Sequence, residues 1–227
     1  MRNLNYVGKS VEREDSYQKV RGKTKFICDM KRVGMLYAKL VLSKKAHSLV
    51  EIDTSEAEKA EGILAVYTFK DVPKVTYNAH KWYPGTNDVE DQYILSDRAR
   101  YMGDHIALVV GTSKQAVEQG VSLVKVTYSE LPVITGIKNA KKNGEIREGI
   151  SNLAFHKTIE CGDYEKAKEL ADLVATTTGS TQKIHHSAIE PHICLSEIDE
   201  TDTLVIWSPC QVASQIQYHV STLLHLP

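Results

Sequence analysis

Two stretches of the chain hold side chains whose types and spacing could do chemistry. The first contains His185, His186, Glu190 and His192. On a helix His186 and Glu190 would share a face at i, i+4. On a strand His186, Glu190 and His192 would share one at even spacing. Neither arrangement matches a helical zinc pattern in which the Glu lies between two His ligands. A buried hydrogen-bonded polar network is therefore favoured over a metal site, and no metal ligand is assigned. The second stretch surrounds Gln211. Residues 203–207 are β-branched and apolar and leave the turn-forming run Asp199-Glu200-Thr201-Asp202, which reads as a strand after a tight turn. Apolar residues then fall at 212, 216, 220 and 223/224, the spacing of one helical face. Ser208 suits an N-cap and Pro209 the first helical position. Cys210 and Gln211 thus stand where a strand hands over to a helix, a place where loose backbone N–H groups and a polar side chain can meet a ligand. A plain surface corner has the same local pattern, and the pattern alone leaves both readings open.

The elements that position these residues belong to a chain of ordinary composition. Its 227 residues are 42% hydrophobic and 25% charged, with a net charge of -1. The length allows one large domain or two small ones, and the charge argues against nucleic-acid binding by a basic face. No apolar run approaches the roughly 18 residues of a membrane span. The N-terminus carries basic residues without an apolar core behind them, so neither a signal peptide nor an anchor is expected. Cysteines 28, 161, 194 and 210 form no CxxC pair. They read as reduced thiols, mostly small buried hydrophobes, in a cytoplasmic protein.

Taken in order, residues 1–19 form a polar arm, and the single glycine of 20–26 is too few for a phosphate loop. Strands are expected over 35–42 and 49–52, with His47 between them as a hydrogen-bonded structural residue rather than a ligand. Residues 54–60 carry capping residues, early acids and helix formers, which predicts a short helix ending at Gly62, followed by a strand over 63–67. A second strand–helix–strand unit is expected from a strand ending at 110, a helix capped at 112–113 and a strand over 124–128. Residues 74–100, with Trp82, read as a long loop, and 133–162 as a linker. Beyond it a short helix over 163–170 and strands over 174–182, 193–198 and 204–207 complete the pattern.

The ordered series of segments resembles a known family. VRGKTKF (20–26) with Asp29, LYAKLVLSKKAHSLVEID (36–53), EGILAVYTFKDVP (61–73), YMGDHIALVVG (101–111) and VTYSELPVI (126–134) are similar to the N-terminal "hammerhead" α/β domain of molybdenum subunits of the xanthine dehydrogenase and aldehyde oxidase family. STQKIHHSAIEPH (180–192) and IWSPCQVASQIQYHVSTLLHLP (206–227) resemble the opening of the molybdopterin-binding domain that follows it. The likeness spans residues 17–227 and fits best the form with separate subunits, as in bacterial xanthine dehydrogenases. It implies an α+β fold: an arm over 1–16, the hammerhead over 17–135, a linker over 136–162, and from 163–227 the first strands and helix of an incomplete molybdopterin-binding domain.

The resemblance implies residue roles as well. In the family a Gln just ahead of the helix hydrogen-bonds an oxygen ligand of the molybdenum, and that place falls on Gln211. A neutral amide can donate there without adding charge. This chain departs from the pattern at Pro209-Cys210, where small hydroxyl residues are usual, and at His225, which replaces a customary Gly. His186 and Glu190 match an H-x-x-x-E pattern and are expected to be structural or to stand behind the cofactor's direct contacts. No catalytic residue is expected within this chain, because the family's glycine-rich loop and its catalytic Glu come later in the full subunit. The implied enzyme hydroxylates a carbon of a purine such as hypoxanthine, or a related N-heterocycle, with water as oxygen source. It uses a molybdopterin cytosine dinucleotide-type cofactor, with FAD and 2Fe-2S centres in flavin and iron–sulfur partner subunits. The chain alone is expected to be inactive, and to self-associate or fray over 174–227, where Val205, Trp207, Val212, Ile216 and Val220 would lack cover. A different class of reading makes it a non-catalytic assembly or docking module for those partner subunits. A third, an independent small-molecule binder, rests only on the 74–100 loop.

Overall fold

In the computed structural model, which describes residues 5–81, 89–142, 144–145, 149–153 and 156–226, helix α1 (Ser16–Val20) and a 3-10 turn (Ile27–Asp29) come first. Strands β1 (Tyr37–Leu42), β2 (Ser48–Asp53) and β3 (Ile63–Thr68) follow, then the short β4 (Thr76–Tyr77), β5 (Gln92–Tyr93) and β6 (Arg98–Ala99). Strand β7 (His105–Gly111), helix α2 (Lys114–Leu123) and strand β8 (Lys125–Glu130) complete the first half. Helices α3 (Ile137–Ala140) and α4 (Tyr164–Glu169), strands β9 (Leu195–Ile198) and β10 (Leu204–Trp207), and helix α5 (Ala213–Leu224) make up the second. The protein is thus α+β, and it divides into two compact units: residues 34–181 with 212–227, and residues 1–33 with 182–211.

The larger unit holds two three-stranded sheets, ordered β1-β7-β3 and β6-β2-β8, in which every pairing is antiparallel. Strand β7 is the centre of the first. Its residues Ile106, Ala107 and Val109 are completely buried, as expected of an apolar strand flanked on both edges. Val41, Val50, Ala57, Ala99, Val117 and Val124 join them in one core. Helix α2 is capped by Ser113, whose hydroxyl accepts the Ala116 amide at 3.1 Å, a hydrogen bond that satisfies one of the open donors of the first turn. It buries Ala116, Val117 and Gly120. Gly120 is explained by proximity: a Cβ there would lie 2.7 Å from Ile63 Cδ1 and 2.8 Å from Val109 Cγ1. Among the described residues, no helix is long and apolar enough to cross a membrane.

Several sequence expectations are corrected. Residues 54–60 form turns, not a helix. The segment makes one helical bond, Glu58 N–H to the Thr54 carbonyl at 2.9 Å, before Ala60 N–H tightens to the Ala57 carbonyl. So few residues do not offset the cost of nucleating a helix, and the segment instead inserts Ala57, fully buried, into the core. The first strand–helix–strand unit lacks its helix, while the second is present in chain order as β7, α2 and β8. In neither do the two strands share a sheet, because β2 and β3 lie in different sheets, as do β7 and β8. Both edges of β7 are already paired, by β1 and β3, which leaves no edge for β8. Residues 174–182 form no strand: they are exposed throughout and pair with nothing among the described residues. β-propensity is expressed only on a paired, half-buried surface. The 74–100 loop contains the β4–β5 pair and β6, while Trp82 lies outside the described residues. The cysteines are free thiols, but three of them, Cys161, Cys194 and Cys210, are exposed and only Cys28 is partly covered. None of the three sits on the inward face of an element.

The contact at Gly120 sets a test. Gly120→Val is expected to destabilise the chain by about 1–3 kcal/mol through overpacking, read as a lower denaturation midpoint at unchanged slope. Unchanged stability would show that α2 does not need a bare position there.

Candidate functional site

Gln211 is reached through the β9–β10 hairpin. Its two strands pair Leu195 with Trp207 and Ile198 with Leu204. The turn between them is held by one carboxylate. Asp199 Oδ1 accepts from the Thr201 amide at 2.8 Å, the Thr201 hydroxyl at 2.7 Å and the Thr203 amide at 3.0 Å. These bonds, the Thr201 hydroxyl first, hold the Asp199 carboxyl below its ordinary 3.8, since each donor favours the charged form. Asp202 takes a left-handed φ of 60°, which Asp tolerates in tight turns.

Beyond Trp207 the backbone turns sharply. Cys210 N–H bonds the Ser208 carbonyl at 2.8 Å, a three-residue turn centred on Pro209, whose ring fixes the φ that such a turn needs. This overturns Ser208 as the N-cap. Ser208 and Pro209 are committed to the turn, and α5 instead starts after Val212, which has no side-chain cap. Gln211 therefore lies in the connection, exposed, and its carboxamide has no hydrogen-bond partner among the described residues. At the far end of α5, His225 adopts φ 54° and the Leu226 amide bonds the Ser221 carbonyl at 2.9 Å. A Schellman-type ending usually takes Gly there, so the His at a customary Gly position keeps the Gly conformation. Val212 before α5, and Ile216 and Val220 on it, are partly covered, as are Val205 and Trp207.

The His/Glu stretch forms neither a helix nor a strand. His185, His186 and His192 are exposed, so the expected buried network is not present. Ser187, at φ 52°, breaks any regular spacing, and its amide donates to His185 Nδ1 at 3.0 Å. Glu190 is the one partly covered member, and its Oε1 accepts the Ile27 amide at 3.0 Å. No hydrogen bond or ion pair joins His186 to it among the described residues. Among the described residues no group of three or more His, Cys, Asp or Glu side chains could hold a metal ion.

Two arrangements were invisible in the sequence. Arg32 lies against the β9–β10 hairpin: its Nε meets Glu197 Oε2 at 2.6 Å and its guanidinium stands 5.0 Å from the Trp207 ring centroid. In the larger unit, His47 Nδ1 donates to the Pro132 carbonyl at 2.7 Å, and Nε2 accepts from Arg98 Nε at 3.2 Å. His47 is 8% exposed and structural, as its turn position suggested. A cavity of about 480 Å³ opens beside it, lined by Arg98, Leu131, Pro132 and Asn139 among others, and contains none of the site residues read from sequence. The partners stand 51 to 175 residues apart in the chain, so no local pattern could have joined them.

Comparisons with known proteins cover most of the chain. Residues 21–132 match the family model described as aldehyde oxidase and xanthine dehydrogenase, a/b hammerhead domain, and residues 146–227 match the molybdopterin cofactor-binding domain. A putative xanthine dehydrogenase molybdenum-binding subunit of Escherichia coli is 30% identical over 222 residues, covering 95% of this chain and 29% of that protein. The nicotinate dehydrogenase large molybdopterin subunit of Eubacterium barkeri is 28% identical, covering 97% of this chain and 51% of the relative. The solved aldehyde oxidoreductase of Desulfovibrio gigas superposes with a TM-score of 0.84 at 26% identity, over 95% of this chain and 25% of that one. The chain therefore spans between a quarter and about half the length of these relatives.

The hairpin turn that leads to Gln211 has a defined acid response. Asp199 titrates below 3.8 when folded, so its contribution to the turn is complete above 3.8 and is lost as pH falls through the lower folded value. A carbon-detected NMR titration should place the Asp199 midpoint below 3.8, with the Thr201 and Thr203 amides shifting together. A midpoint at or above 3.8 contradicts the triple hydrogen bond.

Proposed function

Because the chain belongs to the xanthine dehydrogenase and aldehyde oxidase family of molybdenum hydroxylases, we propose that it supplies the hammerhead domain and the opening elements of the cofactor-binding domain to a molybdenum-containing oxidoreductase. The observation that carries this reading is the tandem order of the two matches, hammerhead over 21–132 and cofactor-binding domain over 146–227. The proposed substrate is a purine such as hypoxanthine, or a related N-heterocycle, a choice supported by the xanthine dehydrogenase name of the Escherichia coli relative. The proposed cofactor is the cytosine dinucleotide form of molybdopterin. The proposed partners are flavin and iron–sulfur subunits and the remaining part of the molybdenum subunit, in the cytoplasm. When bound, the cofactor supplies the two-electron chemistry by which a ring carbon is hydroxylated with water as the oxygen source.

The residues present fit a share of that task. Gln211 offers a neutral amide, unpartnered among the described residues, on a short connection between a strand and a helix. Its N–H can donate towards the cofactor without introducing charge. The turn at Pro209 and the pinned end of β10 limit where that amide can reach. Glu190 holds the Ile27 backbone, and His186 stays at the surface. On this reading the chain alone does not turn over substrate, because it orients the cofactor and carries no acid–base residue for the reaction.

The docking-module reading draws on a separate observation. Leu170, Leu173, Ile184 and Ile189 are 75–88% exposed along a stretch largely without regular structure, more apolar surface than a solvated loop needs. The two readings agree that this stretch meets other polypeptide.

Gln211→Ala, made in the complete molybdenum subunit, is expected to lower turnover roughly 10- to 100-fold, the usual effect of losing a residue that supports a metal centre, with little change in thermal stability. Loss of stability without a separate kinetic effect would overturn the role given to Gln211.

A further inference from the structure

In the smaller unit, Arg32 makes contacts whose geometry differs from that of an ordinary surface cation. Across the antiparallel pair Glu197 stands opposite Val205 and Leu195 opposite Trp207. Glu197 and Trp207 are therefore diagonal neighbours on one face of the hairpin, within reach of one long side chain. Arg32 occupies that diagonal. It meets Glu197 Oε2 at 2.6 Å through Nε and lays its guanidinium 5.0 Å from the Trp207 ring centroid. The side chains of Arg32 and Glu197 are 37% and 33% exposed, so water screens the pair and the ion pair by itself contributes little stability. Its consequence is geometric: one planar group fixes both strands and the last residue of β10 at once.

Trp207 is followed directly by the Ser208–Pro209–Cys210 turn, and Gln211 comes next. A second tie secures the same N-terminal segment, since the Ile27 amide donates to Glu190 Oε1 at 3.0 Å. The 3-10 turn at 27–29 carries its own brace, with the Phe26 amide bonded to Asp29 Oδ2 at 3.0 Å. The stretch 26–32 is thus held at one end by Glu190 and at the other by Glu197 and Trp207. We infer that Arg32 is a positioning residue for Gln211: by clamping Trp207 it sets where the strand releases the backbone, and hence where the amide points. The inference rests on the proposed role of Gln211 for its functional meaning, while the clamp itself is a property of this chain alone.

Hydrogen exchange followed by mass spectrometry on the 227-residue chain tests it without any cofactor. Arg32→Ala should speed exchange over residues 204–211 about tenfold, the ratio that joint loss of a half-exposed ion pair and a stacked cation produces. Exchange in α2 and β7 should stay unchanged. Arg32→Lys keeps a charge for Glu197 but not the flat stacking surface, so it should fall between parent and Arg32→Ala. In a Trp207→Leu background, Arg32→Ala should add much less. Unchanged exchange over 204–211, equal acceleration throughout the chain, or full recovery with Lys would each overturn the clamp. Gln211→Ala, measured in the same way, should leave this protection intact. A clamp that holds in a subunit whose turnover ignores Gln211→Ala would therefore refute the role of Gln211 and leave that of Arg32 standing.

Discussion

The larger unit depends on one close approach, that of helix α2 to strands β3 and β7. Residue 120 has no side chain, and any Cβ there would press on Ile63 and Val109 at less than 3 Å. A glycine inside a helix ordinarily costs about 1 kcal/mol relative to alanine. Here the cost is offset by what the bare position permits, namely full burial of Val109 and near-complete burial of Val117. Gly111 repeats the constraint at the end of β7, where a Cβ would lie 2.6 Å from the Gly62 carbonyl. With β7 paired on both sides and α2 fitted against it, β8 must continue in the second sheet. The helix is the link between sheets rather than a crossover within one.

The smaller unit works by a different balance. Its hairpin buries no residue completely: Leu195, Ile198 and the residues of β10 range from partly covered to exposed. Order there comes from directional contacts instead. The Asp199 carboxylate gathers the turn, Arg32 spans both strands, and Pro209 bends the exit. Each contact is modest when exposed to water, yet together they restrict the short connection that carries Gln211. For the role proposed for Gln211, such restriction serves better than burial, which would hide the amide.

Much of this fold could be read from the sequence wherever the apolar period was long and clean. The strands expected over 35–42, 63–67 and up to 110 form at 37–42, 63–68 and 105–111. The helix capped by Ser113 followed from its capping residues, and the apolar face of α5 followed from spacing. Expectations failed where local chemistry was right but tertiary context decided. Residues 54–60 have good helix formers but too few of them, and Ala57 was needed in the core. Residues 174–182 are β-branched but have no partner strand among the described residues. Ser208-Pro209 has the chemistry of a helix start, yet Pro209 serves a tighter turn instead. The place of Gln211 between a strand and a helix followed from the apolar pattern on either side of it, whereas the role proposed for it came from the family likeness. Arg32 carried no signal, because its partners lie 165 and 175 residues further along the chain.

This polypeptide belongs within a molybdenum-binding subunit, and it should be found there in the cell. The most direct test is to isolate it from its native cells under non-denaturing conditions, and to determine its intact mass, its associated chains and its molybdenum content in one sample. A chain containing these residues is expected to copurify with stoichiometric molybdenum, in a complex that also contains flavin and iron–sulfur centres. A chain recovered with no molybdenum, whether alone or with other proteins, would contradict it.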